Sequence, residues 1–119
     1  MMIHVSSPWF EYIKTGEKTV EGRLCKSKFN TLQPGTSLSI YLQSHDKQDV
    51  VSVDVKRVTR YPSFAALLEK EGIKRVLPYY PNVHTGVEAY REFYSREDEE
   101  KYGVMAIEFT VSQNAHFFT

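Results

Sequence analysis

Among 119 residues there is one cysteine and one tryptophan, with six glycines and five prolines. Cys25 has no partner in the chain, so no internal disulfide forms, and no Cys/His spacing supplies the three or four ligands that a zinc site needs. A lone thiol fits a reducing compartment, and the expected location is intracellular, cytoplasmic or nuclear. No stretch approaches the roughly 18 apolar residues of a membrane span. The opening MMIHVSSPWF lacks a basic region followed by an apolar one, so neither a membrane partner nor a secretory leader is expected. The formal net charge is zero, without the surplus of Lys and Arg that sequence-independent coating of duplex nucleic acid requires. Also missing are a Gly-rich phosphate loop, a nucleophile elbow and a dinucleotide fingerprint. No cofactor and no metal are expected, and oligomeric state leaves no mark in the sequence.

What is present is a folding composition: 41% hydrophobic and 13% aromatic residues, with no linker or repeat, which predicts a single domain over 1–119. Met2 to Val5 reads as a short strand. Ser7-Pro8-Trp9 opens a helix over about residues 8–15, with Gly16 as its stop. Lys18 to Arg23 reads as extended, with Glu21 and Arg23 on one face and Lys18 on the other. After the Pro34-Gly35 turn, Leu38, Ile40 and Leu42 alternate with polar residues. So do Val51, Val53 and Val55, beyond a polar loop that contains His45. The phase slips at Arg57-Val58, which predicts a bulge. A second helix follows Pro62-Ser63 and ends near Gly72, and a short helical turn leads to Pro78. Residues 79–86 read as a loop before a third helix carrying Val87, Tyr90, Phe93 and Tyr94, and the acids Glu97 to Glu100 extend or cap a helical turn. Met105, Ile107, Phe109 and Val111 close the pattern as a strand. Helices interspersed among about five short strands predict an α+β fold, a small mixed β-barrel with helices packed outside.

The zero net charge hides an asymmetry. Residues 1–60 carry nine Lys or Arg against six Asp or Glu, and residues 61–119 carry six against nine. Within the first half, Lys14, Lys18, Arg23, Lys26 and Lys28 stand against Glu17 and Glu21, a local excess able to track a short phosphate backbone.

The densest constellation lies there: Gly16-Glu17-Lys18-Thr19-Val20-Glu21-Gly22-Arg23. Its spacing, G-x-K-x-x-E-x-R just after a helix beginning with Pro-Trp, resembles the signature of the ASCH (ASC-1 homology) domains of the PUA-like superfamily. The likeness continues through Pro34-Gly35, Tyr61-Pro62-Ser63-Phe64, Tyr90 to Tyr94 and Gly103-Val104. The resemblance implies a β-barrel with a cleft beside the signature and a role in binding RNA, nucleotides or modified nucleosides. It also implies a possible amidohydrolase, since small bacterial members deacetylate acetylated cytidine with a lysine, a threonine and a later glutamate. Lys18 matches that lysine. Glu21 stands at the threonine's position, and the loop Tyr79 to Gly86 holds no glutamate.

Read without the family, Lys18 is a compact cation whose pKa falls readily on burial, and Arg23 offers a planar fork for a phosphate or a base edge. Glu21 repels phosphate but accepts a hydrogen bond from an exocyclic amine, or activates water as a general base. An amine-bearing base satisfies all three residues; the plainer alternative is a structural Glu21–Arg23 ion pair with Lys18 solvated. Tyr79 and Tyr80, beside Pro81, are candidate stacking platforms, and His84 is a candidate donor, though an exposed loop histidine is the commoner case. Tyr90 and Tyr94 read as core positions with a hydroxyl reaching a partner. Cys25 reads as a small buried thiol, and His4, His45 and His116 share no ligand spacing. Three functions follow: a binding domain for RNA or a nucleobase using Lys18, Glu21, Arg23, Tyr79, Tyr80 and His84; a hydrolase with Lys18 and Glu21 catalytic; or a protein-interaction adaptor.

Overall fold

A computed structural model of the chain describes residues 1–44 and 47–112, and it turns the alternating segments into one five-stranded sheet. The strands are β1 (Met2–His4), β2 (Val20–Leu24), β3 (Ser37–Ser44), β4 (Lys47–Tyr61) and β5 (Val104–Val111), in the spatial order β1-β3-β4-β5-β2. β1 runs parallel to β3, and the other neighbours are antiparallel. β1 and β2 therefore form the two edges. The sheet curls until Arg23 Nη2 on one edge donates to the His4 carbonyl on the other at 2.8 Å. The result is an α+β half-barrel closed by a side chain at its seam. His45 and His116 lie outside the described residues.

Cap residues place the helices. α1 (Trp9–Thr15) stops at Gly16, which takes the left-handed conformation (φ 86°) that a residue with a Cβ adopts only at a cost. α2 (Phe64–Glu71) begins at Ser63, whose hydroxyl accepts from the Ala66 N–H, and the short α3 (Ile73–Val76) follows Gly72. α4 (Val83–Arg91) is capped by Asn82 and α5 (Arg96–Tyr102) by Ser95. The predicted phase slip is a real irregularity in the β4–β5 ladder between Val55 and Arg57. It delivers the Arg57 guanidinium to Glu108 at 2.9 Å and to both oxygens of the buried Glu71, tying β4, β5 and α2 together.

Two expectations are corrected. Residues 83–86 are helical rather than loop, because Asn82 accepts from the Thr85 N–H at 2.9 Å and starts α4 early. Gly86 is then a packing position against Leu68, Ile73 and Leu77. Because α4 also ends early, at Arg91, Phe93 falls out of helical phase and is 78% exposed, while Tyr90 stays in the core.

Each face of the sheet has its own core. On one, Met105, Ile107 and Phe109 of β5 pack with Val53 and Val55 of β4, Leu38 and Ile40 of β3, and Phe10 and Ile13 of α1. On the other, Val104 and Ala106 pack with Val20, Phe64, Leu67 and Leu68. Cys25 is buried in the first, where burial raises its thiol pKa against the opposing pull of Arg60.

Candidate functional site

β2 forms one bank of the seam. Its register sets Glu21 opposite Ile107 and Arg23 opposite Met105, so both side chains take the face of those two residues, while Gly22, opposite Ala106, takes the other. Lys18 precedes the strand, which begins only at Val20, and so escapes the alternation that separates it from Glu21 in an ideal ribbon. Its ammonium reaches Glu21 Oε1 at 3.1 Å.

Lys18 is 2% exposed. It donates to the carbonyls of Val20 (2.8 Å) and of Val76 at the end of α3, as well as to Glu21. An ammonium has three hydrogens, and all three have acceptors. Burial pulls its pKa down, and the Glu21 carboxylate works against that pull. Lys18 thus acts on the surroundings through Glu21.

Glu21 also accepts from Arg23 Nε at 2.7 Å on its second oxygen, and its side chain is 14% exposed. Burial alone would raise its pKa, but the charges of Lys18 and Arg23 and their hydrogen bonds outweigh it and hold the carboxyl at about 2. The structural ion pair of Glu21 and Arg23 is therefore real, and Lys18, far from solvated, is its buried third member.

Beside this triad lies a cavity of about 440 Å³, a volume within the usual range of ligand sites. Its walls come from the end of β1 with Val5, Ser6 and Trp9, from Lys18, Glu21, Gly22 and Arg23, and from the end of α4 with Phe93 and Tyr94 beyond it. Tyr80 lines it as well, tilted against Trp9 with ring centroids 5.5 Å apart. Tyr90 stacks on Phe64 and is buried, and its hydroxyl has no hydrogen-bond partner among the described residues. That hydroxyl stays protonated, because burial raises its pKa well above the ordinary value and the nearby Glu21 charge adds to the effect. It comes so close to β2 that a Cβ on Gly22 would stand 2.7 Å from it. A buried hydroxyl without a partner is costly and asks for an acceptor.

The sequence candidates divide accordingly. Lys18, Glu21, Arg23 and Tyr80 border the cavity. Tyr79 and His84 do not: Tyr79 is 74% exposed and turned outward to bond Glu17, and His84 pairs with Glu88 one helical turn on, at 2.8 Å. Sequence reasoning missed Trp9, Tyr90, Phe93 and Tyr94 as cavity residues. The local signal for Trp9 was its place just ahead of the signature, where its ring now lies 5.8 Å from the Lys18 ammonium. Among the described residues no three His, Cys, Asp or Glu side chains gather as a metal site, and no helix is long and apolar enough to cross a membrane.

Comparison with known proteins agrees with this architecture. A family model described as the ASCH domain matches residues 3–113. The crystal structure of the hypothetical protein PH0355 is similar at 39% identity and a TM-score of 0.81, over 93% of this chain and 97% of that one. The solution structure of protein PF0455 from Pyrococcus furiosus is similar at 36% identity and a TM-score of 0.72, over 95% and 99%. A mutant form of ZmASCH from Zymomonas mobilis shares the fold at 13% identity and a TM-score of 0.63, over 92% of this chain and 67% of that one. No curated protein matches the chain.

Proposed function

The chain belongs to the ASCH domain family, and from that premise we propose that it binds an amine-bearing nucleobase, carried by RNA or a nucleotide, in the seam cavity. The observation that carries this reading is an ionised acceptor, Glu21, on the wall of a cavity that the rings of Trp9, Tyr80 and Tyr94 also line. The complement of that wall is a planar group that carries an N–H donor. The edges of cytosine and adenine have this pattern. A phosphate does not, because it offers the Glu21 carboxylate no donor. Trp9, Tyr80 and Tyr94 supply rings on which a base can stack, worth about 1–3 kcal/mol per base.

The hydrolase reading finds less support in the same geometry. A general base works best with a pKa near the operating pH, and a carboxylate held at about 2 is a weak one. Lys18, its donors taken, has none left for a developing oxyanion.

The test is a titration of the wild type with the four nucleosides and with short single-stranded RNA, repeated with Tyr90→Phe and Glu21→Gln. Binding of cytidine or adenosine ligands is expected, weakened in Glu21→Gln. Tyr90→Phe serves as the control and should keep both affinity and stability, since its hydroxyl is buried and makes no internal bond. Equal affinity in the wild type and Glu21→Gln, or turnover of acetylated cytidine that vanishes in Glu21→Gln, would overturn the reading.

A further inference from the structure

Next to the seam cavity is a second one, of about 430 Å³, for which the proposed function has no use. Its floor is the turn after β2, with Lys26, Lys28 and Phe29, and its far wall is Asp98 of α5. Phe93 and Tyr94 line both cavities. Between them runs a cationic and aromatic border. The Arg23 guanidinium sits over the Phe29 ring at 5.5 Å, and the Lys28 ammonium lies 5.7 Å from the same ring.

The charge of this hollow is free to act on a ligand. Lys26 and Lys28 are exposed, and among the described residues neither joins a salt bridge. Lys28 spends one of its three hydrogens on the Met2 carbonyl at 2.7 Å, and Lys26 lies over Tyr102. Asp98 is the single acid opposing the two lysines on this lining. The exposed Phe93 stands where the two hollows meet, a large apolar ring that no core contact explains.

From this juxtaposition we infer that the second cavity receives the phosphodiester and neighbouring base of a single strand whose first base fills the seam cavity. The inference rests on the nucleobase reading above and extends it from a nucleoside to a dinucleotide step. The two cavities divide the labour that a nucleotide chain requires. Glu21 makes the first hospitable to an amine, whereas Lys26 and Lys28, in no salt bridge among the described residues, make the second hospitable to phosphate. A base has a π-face whatever its identity, so Phe93 and Phe29 accept the second base without reading its sequence. The shared chemistry is a phosphodiester-linked dinucleotide, which RNA and single-stranded DNA both offer.

The experiment compares calorimetric affinities for cytidine, adenosine and the matching RNA and DNA dinucleotides. The proteins are the wild type, Lys26→Gln with Lys28→Gln, and Glu21→Gln. Both lysines are exposed, so the double variant should fold. The expected result is a dinucleotide bound at least about ten-fold more tightly than its nucleoside, with an affinity that falls as salt rises, a negative slope that the uncharged nucleoside lacks. In the lysine double variant that advantage and slope should vanish while nucleoside affinity stays unchanged. Equal wild-type affinity for nucleoside and dinucleotide, or an advantage that survives loss of both lysines, overturns the second subsite and leaves the seam reading standing. Failure of the wild type to bind any of these ligands at low salt overturns the seam reading, and the inference with it. A ratio of RNA to DNA affinity above ten identifies the ribose as part of what is read, and a ratio near one limits recognition to base and phosphate.

Discussion

Lys18 and Glu21 meet at 3.1 Å in a place that water scarcely reaches, and that contact decides what the site can do. The lysine is held by the backbone of β2 and of α3 at once, so the carboxylate is fixed relative to both. Arg23 completes the arrangement from the other side and reaches on to β1. The ionic triad is thus also the clasp of the half-barrel.

Breaking that clasp should be expensive. Lys18→Met keeps much of the volume but leaves Glu21 with one cation in place of two and leaves the Val20 and Val76 carbonyls without this donor. Removing one member of a buried ion pair typically costs about 3–5 kcal/mol. Urea unfolding should therefore show a midpoint lowered by that amount of stability. A change within about 0.5 kcal/mol, the range of ordinary surface substitutions, would mean that the lysine is solvated after all.

Stability should also fall on acidification, and the sign follows from the two states of Glu21. Its carboxyl takes up a proton near 4.5 when unfolded and at about 2 when folded, so between those values the unfolded chain holds more protons. The contribution is full above pH 4.5 and is lost as pH falls toward 2, amounting to about 3 kcal/mol at most. Glu71 adds to the trend, because hydrogen bonds from Arg57 outweigh burial and lower its pKa too. Unfolding free energies measured from pH 6 to pH 2 should drop less steeply in Glu21→Gln than in the wild type. Parallel curves would show that Glu21 titrates as an ordinary carboxyl.

The strands and most helix boundaries were legible because their signals are local. Alternation marked β3, β4 and β5, Ser63 and Gly16 marked helix ends, and the slip of phase at Arg57 marked the irregularity. Glu21 and Arg23 were legible as a pair because β2 is regular through both. Lys18 was legible as a site candidate through the signature but not as the buried partner of Glu21, since its burial depends on a carbonyl 58 residues away, in α3. Tyr79 and His84 stand apart from the seam cavity for the opposite reason: a tyrosine-rich, proline-containing stretch looks like a platform, but α4 starts early and His84 pairs with Glu88 along it.

Phe93 gives the most direct check on where periodicity failed. Helical spacing assigns it to the core with Tyr90 and Tyr94, and the structure leaves it 78% exposed at the junction of two cavities. Phe93→Ser should then change stability by no more than about 0.5 kcal/mol in thermal or urea unfolding. In the core, the loss of a phenylalanine costs about 3–5 kcal/mol. The two alternatives lie far enough apart for one denaturation curve to separate them.

Gly22 and Tyr90 form a second coupled pair, and a double-mutant cycle can expose it. Nothing about the backbone of Gly22 demands glycine; the constraint is the Tyr90 hydroxyl, 2.7 Å from where a Cβ would stand, with Leu67 next at 3.5 Å. Gly22→Ala should cost about 1–3 kcal/mol by overpacking. Tyr90→Phe alone should be nearly neutral, because the hydroxyl it removes is buried without a partner. With that oxygen gone the nearest ring atom is Cζ at 3.2 Å, a contact that a shift of a few tenths of an ångström relieves. The double variant should therefore be more stable than Gly22→Ala alone, giving a favourable coupling energy on the order of 1 kcal/mol. Strict additivity would place the clash elsewhere. It would also remove the reason for glycine between Glu21 and Arg23, which is the close approach of the buried Tyr90 hydroxyl to the strand.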